Sequence, residues 1–457
     1  MQGVTRTRRP LVRSIAAFAT VGAMVAAVAA VGGAVGWPRT SYPGYPTTLS
    51  AADIKLAAKY IGGTANKAAT GSTITIGFIN DSTGTPGFPE NVQGAQVAVS
   101  FINNKLGGIK GHKLALHVCD ALNTDGSACA LAMVTAHVKL VLTGTMNTSN
   151  DSTMYETLFQ AKIPIIQGND LTSTDFSPPT TPYKGTAVTY MPGSPGVLYG
   201  MAKFLGTKGL GSKPTHVTVF YDQGDTGSQT AYNVFFKAGS PLQSKYLHGI
   251  AVNGIQINAP WSKSDVESAL SSLPAGTILV PLVPVGTCIS FAQALTALKI
   301  HNTVVTSGLC FGEQVKKALG NYPNGWYFGD YGINYFMYAK ALATSQQLAV
   351  YIAAVDKYNK TIDYTGFAGP SFGTVLTATK LYIQAGGASA TSAKLATLVQ
   401  KFPGPQWGIS GPMTCGHVSS LFFPAICGKY IGISQFKGGK WAPIQAAYNN
   451  KLINAFS

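Results

Sequence analysis

The run TITIGFINDSTGTPGFPENVQGAQVAVSFINNKLGGIKGHKLALHVCD, Thr73 to Asp120, reads as a strand, a helix and a second strand with short polar connections. The strands are brief and rich in β-branched residues. The helix, Asn91 to Asn104, places Val92, Ala95, Val99 and Ile102 on one face. The alternation continues through VKLVLTGTMNTSNDS (Val138–Ser152) and IPIIQGNDLTSTDF (Ile163–Phe176). Strands alternating with helices imply βαβ units on a parallel sheet. Ligands of such sheets lie outside the carboxyl ends of the strands, so the loops there carry the functional question.

Those loops are small and polar. Thr83 and Phe88 lie between the first strand and its helix. Phe88 either stacks on a ligand or packs its own loop. Asn147, Thr148 and Ser149 follow the third strand and open a helix, where backbone N–H groups and hydroxyls suit a carboxylate or another anion. Alternatively, Thr148, Ser149, Asn150 or Asp151 simply caps that helix. Asn169 and Asp170 follow the fourth strand, as turn residues or as a site in which Asp170 faces a cationic or hydroxyl-bearing ligand. Asp222, Asp225 and Thr226 hold the equivalent strand end of a second lobe, where turn formation is again the plainer reading.

A second series of alternating elements begins near Met191. It comprises helices at Val197–Leu205, Ser228–Ala238, Ser264–Leu270 and Ile289–Leu298. Its strands fall at His216–Tyr221, Tyr246–Val252, Thr277–Val283 and Thr303–Thr306. After Trp326 come helical stretches at Leu342–Lys360, Phe372–Ala385 and Ala393–Phe402. β-like segments follow at Gly411–Thr414 and Tyr430–Phe436, with a Gly438-Gly439 turn. Upstream, Ser50–Gly62 reads as a short helix capped by Ser50. The expected division is an export signal or signal anchor (1–36), a linker with a short helix (37–72), the first lobe (73–190 and 326–404) and the second lobe (191–325 and 405–457).

Composition agrees with an exported globular protein. Hydrophobic residues make up 46% and charged residues only 11% of the 457-residue chain, which excludes a disordered tail-like protein. The net charge is +16, but Arg6, Arg8, Arg9, Arg13 and Arg39 sit in an acid-free N-terminal stretch and the remaining basic residues are scattered. No nucleic-acid stripe results. Basic residues up to Arg13, followed by the uncharged Ala/Val/Gly run Ser14–Gly36, form an export signal. Thr7 to Arg13 also resembles a twin-arginine signal. A run of that length also allows an uncleaved anchor. The six cysteines fall into neighbour pairs, Cys119/Cys129, Cys288/Cys310 and Cys415/Cys427, and disulfides suit an extracytoplasmic compartment. Zinc is the competing reading, but no C-x-x-C or suitably spaced histidine supports it.

Two enzyme signatures are absent: the chain has no H-E-x-x-H and no P-loop. No metal site or cofactor is expected.

The residues that carry a family resemblance are Ile76-Gly77, Thr83-Gly84, Gly94-Ala95, Ile102-Asn103, Gly107-Gly108-Ile109 with Gly111, and Asp120. In the same order follow Leu142-Thr143-Gly144, Ile163 to Ile166, Val219 to Asp222 with Gly227, Gly411-Pro412 and Gly438-Gly439-Lys440. With these the chain resembles type I periplasmic binding proteins of the leucine/isoleucine/valine-binding family, the solute receptors of ABC importers. The resemblance implies an α/β fold of two doubly wound three-layer lobes joined by a multi-strand hinge. It also implies closure on a small molecule, a membrane permease as partner, and no catalysis. Hydroxyls after the third strand hold an amino acid's carboxylate in the family, which maps to Thr148 and Ser149, with Asp170 assisting. The second lobe departs from the pattern: the Asp225-Thr226-Gly227 loop has no tyrosine, and Leu309-Cys310-Phe311 has no carboxylate before Glu313. The expectation is a monomeric solute-binding protein for an amino acid, amide or short organic acid. A ligand-sensing receptor of the same fold is the alternative, ahead of a hydrolase on a two-lobed scaffold.

Overall fold

A computed structural model describes residues 48–84, 87–121, 126–147, 151–169, 171–179, 185–258, 261–331, 344–362, 364, 366–409, 411, 413–443 and 452–457. The segment expected as an export signal, Thr148, Ser149 and Asp170 lie outside these. Helix α1 (Ala51–Ile61) opens on a capping box in which Ser50 and Asp53 satisfy each other's backbone N–H groups. Strand β1 (Gly71–Asn80), α2 (Glu90–Lys105), β2 (His112–Asp120), α3 (Ser127–Thr135) and β3 (Val141–Thr143) follow. After them come α4 (Ser152–Gln160), β4 (Ile165–Gln167), α5 (Ser173–Phe176) and β5 (Ala187–Thr189). The five strands form one sheet in the order β2-β1-β3-β4-β5, and every pairing is parallel. This is the doubly wound arrangement, with apolar strand interiors buried on both faces.

The second lobe holds α6 (Gly193–Gly206), β6 (His216–Asp222), α7 (Thr226–Thr230), α8 (Pro241–Tyr246), β7 (Ala251–Ile257), α9 (Lys263–Ser271) and β8 (Ile278–Leu282). It continues with α10 (Val285–Ala297), β9 (Val305–Ser307), α11 (Glu313–Leu319) and β10 (Tyr327–Asp330). Strands β7-β6-β8 are parallel, and a bridge from Leu279 to Val304 carries the order on to β9 and β10. Helices α12 (Thr344–Tyr358), α13 (Ala368–Ala385) and α14 (Ser392–Lys401) then pack back into the first core, where Phe372, Val375 and Leu395 join Ile76, Phe101 and Ile102. The chain ends in β11 (Tyr430–Lys437), β12 (Lys440–Pro443) and β13 (Ile453–Asn454), with β11 antiparallel to β10. Gly438 and Gly439, both at positive φ, make the hairpin turn between β11 and β12.

Several expected elements differ. Tyr246–Val252 is not a strand: Ser240 caps α8, Pro241 fills its first turn, and the strand starts only at Ala251, opposite His216. β7 is an edge strand with mostly solvent-facing residues, so its apolar alternation is weak. The helix expected over Ser228–Ala238 splits into α7 and a π-helical turn, Ala231–Phe236. Of the strand expected over Gly411–Thr414, the described residues Gly411, Met413 and Thr414 form none; Met413 packs into the first core and the Thr414 N–H donates to the Cys427 carbonyl at 3.0 Å. Tyr327–Asp330 belongs to the second sheet, so the return to the first lobe begins beyond it and not at residue 326. Likewise Trp407 and Met413 remain in the first core, past the boundary expected at 405.

Three disulfides form: Cys119–Cys129, Cys288–Cys310 and Cys415–Cys427. The first ties β2 to α3, and the second ties α10 to the turn after β9. Among the described residues, no helix is long and apolar enough to cross a membrane.

Two described segments connect the lobes. One joins β5 to α6, and the other runs from α14 to β11. They are laced together, since the Thr189 N–H donates to the Ala425 carbonyl and the Cys427 N–H to the Thr189 carbonyl, both at 2.9 Å. In the first lobe α2 packs closely on α13, where a Cβ on Gly94 would overlap the backbone carbonyl of Ala368. Alanine is a better helix former than glycine by about 1 kcal/mol. Overpacking against a rigid backbone typically costs about 1–3 kcal/mol, so the clash dominates. Gly94→Ala is therefore expected to lower the denaturant midpoint; an unchanged or raised midpoint would show that the two helices separate freely.

Candidate functional site

The carboxyl ends of β1, β3 and β4 form the rim of the first lobe, and one polar lattice organises it. Asn80, the last residue of β1, donates through Nδ2 to Ser82 Oγ at 2.8 Å and to the Phe88 carbonyl at 3.0 Å. Its Oδ1 accepts from the Thr145 N–H at 2.8 Å. Asn91, on the first turn of α2, donates to Thr145 Oγ1 at 2.9 Å and accepts from the Ser371 hydroxyl at 2.7 Å. Asp81 accepts the Asn147 N–H at 2.7 Å. The loops after β3 and β4 are joined by the Asn169 N–H on the Gly144 carbonyl at 2.8 Å and the Leu171 N–H on the Met146 carbonyl at 3.0 Å.

A buried acidic pair lies beneath this rim. Asp151, the residue preceding α4, and Asp175, in α5, hydrogen-bond through their side chains. Asp151 stands at the N-cap position but makes no side-chain capping bond. Asp175 accepts from Tyr155 Oη at 2.8 Å and from the Thr172 hydroxyl at 2.7 Å, while Gln167 Nε2 donates to Tyr155 Oη at 2.7 Å. Burial pushes the Asp175 carboxyl up to about 6, against the hydrogen bonds from Thr172, Tyr155 and Asp151 that lower it.

On the second lobe, the last residue of β6 is Asp222, whose Oδ1 accepts the Gly224 N–H at 2.8 Å. Asp225 caps α7, its Oδ1 accepting the Ser228 N–H at 2.6 Å. The Ser228 hydroxyl donates to the Leu282 carbonyl, which fixes this loop against the end of β8. Burial raises the Asp225 carboxyl, opposed by donors from Ser228 and Asn147 and reinforced by the charge of Asp222.

The two rims face each other and touch. Asn147 Nδ2, from the first lobe, donates to Asp225 Oδ2 at 2.8 Å, and the Gly227 N–H donates back to Asn147 Oδ1 at 2.9 Å.

Of the residues singled out from sequence, Asn147, Asn169, Asp222 and Asp225 are buried at the facing rims. Thr226 opens α7 and is half-buried. Phe88 is buried, with its ring 5.8 Å from that of Phe367. Thr83 is exposed at the sheet margin, where its N–H donates to Asp120 Oδ1 at 3.4 Å. Sequence reading missed Asn80, Asp81, Asn91 and Thr145, the residues that order the rim. The available signal was the polar Asn80-Asp81 pair directly after the apolar run of β1. Among the described residues, the buried charged side chains are all aspartates, and no group of His, Cys, Asp and Glu is arranged to hold a metal ion.

The acidic pair makes stability depend on pH. The folded chain keeps a proton on Asp175 that the unfolded chain loses from an ordinary value of 3.8 upward. Stability contributed by this group therefore falls as pH rises from about 4 to about 6. Asp151→Asn places a permanent donor beside the Asp175 carboxylate and should flatten that fall in denaturation midpoints measured across the window. A slope equal to that of the parent protein would contradict the assignment.

Comparison with known proteins agrees with this architecture. The sequence pattern of the family described as periplasmic binding protein matches residues 73–413, well over half of the chain. No curated protein matches it. A leucine-binding protein LivK from Thermotoga maritima superimposes with a TM-score of 0.61 at 14% identity, covering 83% of this chain and 99% of that one. The branched-chain amino acid transporter substrate-binding protein LivJ of Streptococcus pneumoniae, solved with isoleucine, gives 0.61 at 15% identity, covering 84% and 99%. A fatty acid ABC transporter substrate-binding protein from Thermomonospora curvata gives 0.60 at 15% identity, covering 86% and 95%. At these identities the structures establish the fold, and together with the sequence pattern they place the chain in the periplasmic binding protein family, in its two-lobed type I form.

Proposed function

We propose that this protein is an exported, monomeric solute receptor that holds a small polar molecule between its lobes and presents it to an ABC importer in the membrane. The observation that carries this reading is the meeting of two strand-end rims, lined by Asn147, Asn169, Asp222 and Asp225. Binding of this kind requires only that the solute favour the closed form over the open one. Hinge closure around a ligand is the known behaviour of periplasmic binding proteins as a class, and that motion is carried over from the class. No nucleophile, metal or cofactor is needed.

The character of the rims narrows the solute. Their buried charged groups are carboxylates, and no buried lysine, arginine or histidine accompanies them among the described residues. A buried carboxylate is stabilised by donors, so an amino acid or an amide fits better than a short organic acid. Thr148 and Asp170 complete the proposed contacts, with Thr148 on the solute's acidic or carbonyl end and Asp170 on its donor end.

The test is a panel of amino acids, amides, short acids and aromatic acids in thermal unfolding. A true solute at 100 times its dissociation constant should add about 2.7 kcal/mol of stability, and Thr148→Ala with Asp170→Asn should remove most of that gain. A panel without any stabilising compound, or one whose effect survives both substitutions, would count against the site.

A further inference from the structure

Asn147 is hydrogen-bonded to both lobes at once. Its backbone N–H is fixed to Asp81 of the first lobe at 2.7 Å. Its carboxamide reaches across, donating to Asp225 Oδ2 at 2.8 Å and accepting the Gly227 N–H at 2.9 Å. Both side chains are buried, at 6% exposure for Asn147 and 7% for Asp225. Both oxygens of the carboxylate are engaged, since the other one caps α7 through the Ser228 N–H at 2.6 Å. Residue 227 has no side chain, and a Cβ there would crowd the bridge, sitting 3.0 Å from Asn147 Oδ1 and 3.1 Å from Leu171 Cβ.

We propose that the Asn147–Asp225–Gly227 bridge is a latch built into the protein that holds the lobes closed without a solute. Asn147 is thus a positioning residue that sets how far the empty receptor opens. The inference rests on reading the rims as the jaws of a solute site, but its mechanism does not require any solute to be known. A latch raises the closed population of the empty receptor, and apparent affinity scales with the fraction of molecules in the binding-competent form. The geometry also fixes the polarity of the contact: an amide donor faces a carboxylate, and an amide oxygen faces a backbone N–H.

That polarity supplies the test. Asn147→Asp removes the donor and sets two carboxylates against each other. Adding Asp225→Asn exchanges donor and acceptor, so that the carboxylate now at position 147 accepts from the Gly227 N–H and from the carboxamide now at position 225. Glu156 and Lys237 are exposed, one on each lobe, and none of the native cysteines is free, so spin labels at Glu156→Cys and Lys237→Cys report the inter-lobe distance alone. In solute-free protein, the parent should give one distance distribution and Asn147→Asp a displaced one. The paired substitution should restore the parent distribution. Asn147→Ala, which cuts both bonds without adding charge, should also displace it, and serves if Asn147→Asp does not fold. Identical distributions in parent and single variants, with unfolding still cooperative, would overturn the latch, as would a paired variant that stays displaced. Because no solute is present, either result stands apart from whether the protein binds one.

Discussion

A buried aspartate must be met by donors, and the rims of both lobes are organised around that requirement. An ionised carboxylate taken out of water unpaired costs several kcal/mol even after relaxation. Asp81 is met by the Asn147 N–H, Asp222 by the Gly224 N–H, and Asp225 by the Ser228 N–H and the Asn147 carboxamide. Each of these bonds fixes a backbone or side-chain group at a strand end. The carboxylates therefore order the rims, and the parallel sheets beneath them supply the register. Where burial outweighs the donors the chain keeps a proton, as Asp175 does despite the hydrogen bonds from Thr172 and Tyr155.

Each lobe has its own apolar core, and Phe176 of the first lobe also packs into the second, against Phe235. The first core gathers β1, α2 and the returning helices α12 to α14, and the second gathers α6, β6 and β11. Between them run the laced connections at Thr189, Ala425 and Cys427. The described bonds between the rims are polar, in contrast to the interior of either lobe. The proposed capture and release of a solute requires that this polar interface open and close.

The fold is largely legible in the chain because its strands are short and apolar and its helices are amphipathic. The run from Thr73 to Asp120 alone identifies a βαβ unit, and the three neighbour cysteine pairs identify the disulfides that form. Legibility fails where tertiary context overrides local pattern. β7 sits at a sheet edge with an exposed face, so its sequence lacks alternation, and a capped helix occupies part of the apolar stretch that reads as the strand. The rim residues are half legible. Asn147, Asn169, Asp222 and Asp225 stand out because they follow strands. Asn91 and Thr145 do not, because a buried asparagine and threonine become meaningful only once Asn80 and Phe88 are known to lie beside them.

The proposed function requires that a solute be gripped between the rims. The most direct measurement is a crystal structure of the protein purified gently, without unfolding or exhaustive dialysis, so that a captured molecule is retained. The prediction is compact density, unaccounted for by the chain, between the ends of β1, β3 and β4 on one side and the end of β6 on the other. Its polar atoms should lie within hydrogen-bond reach of both rims. A solute seated elsewhere, or lobes whose strand-end rims turn away from each other, would contradict it.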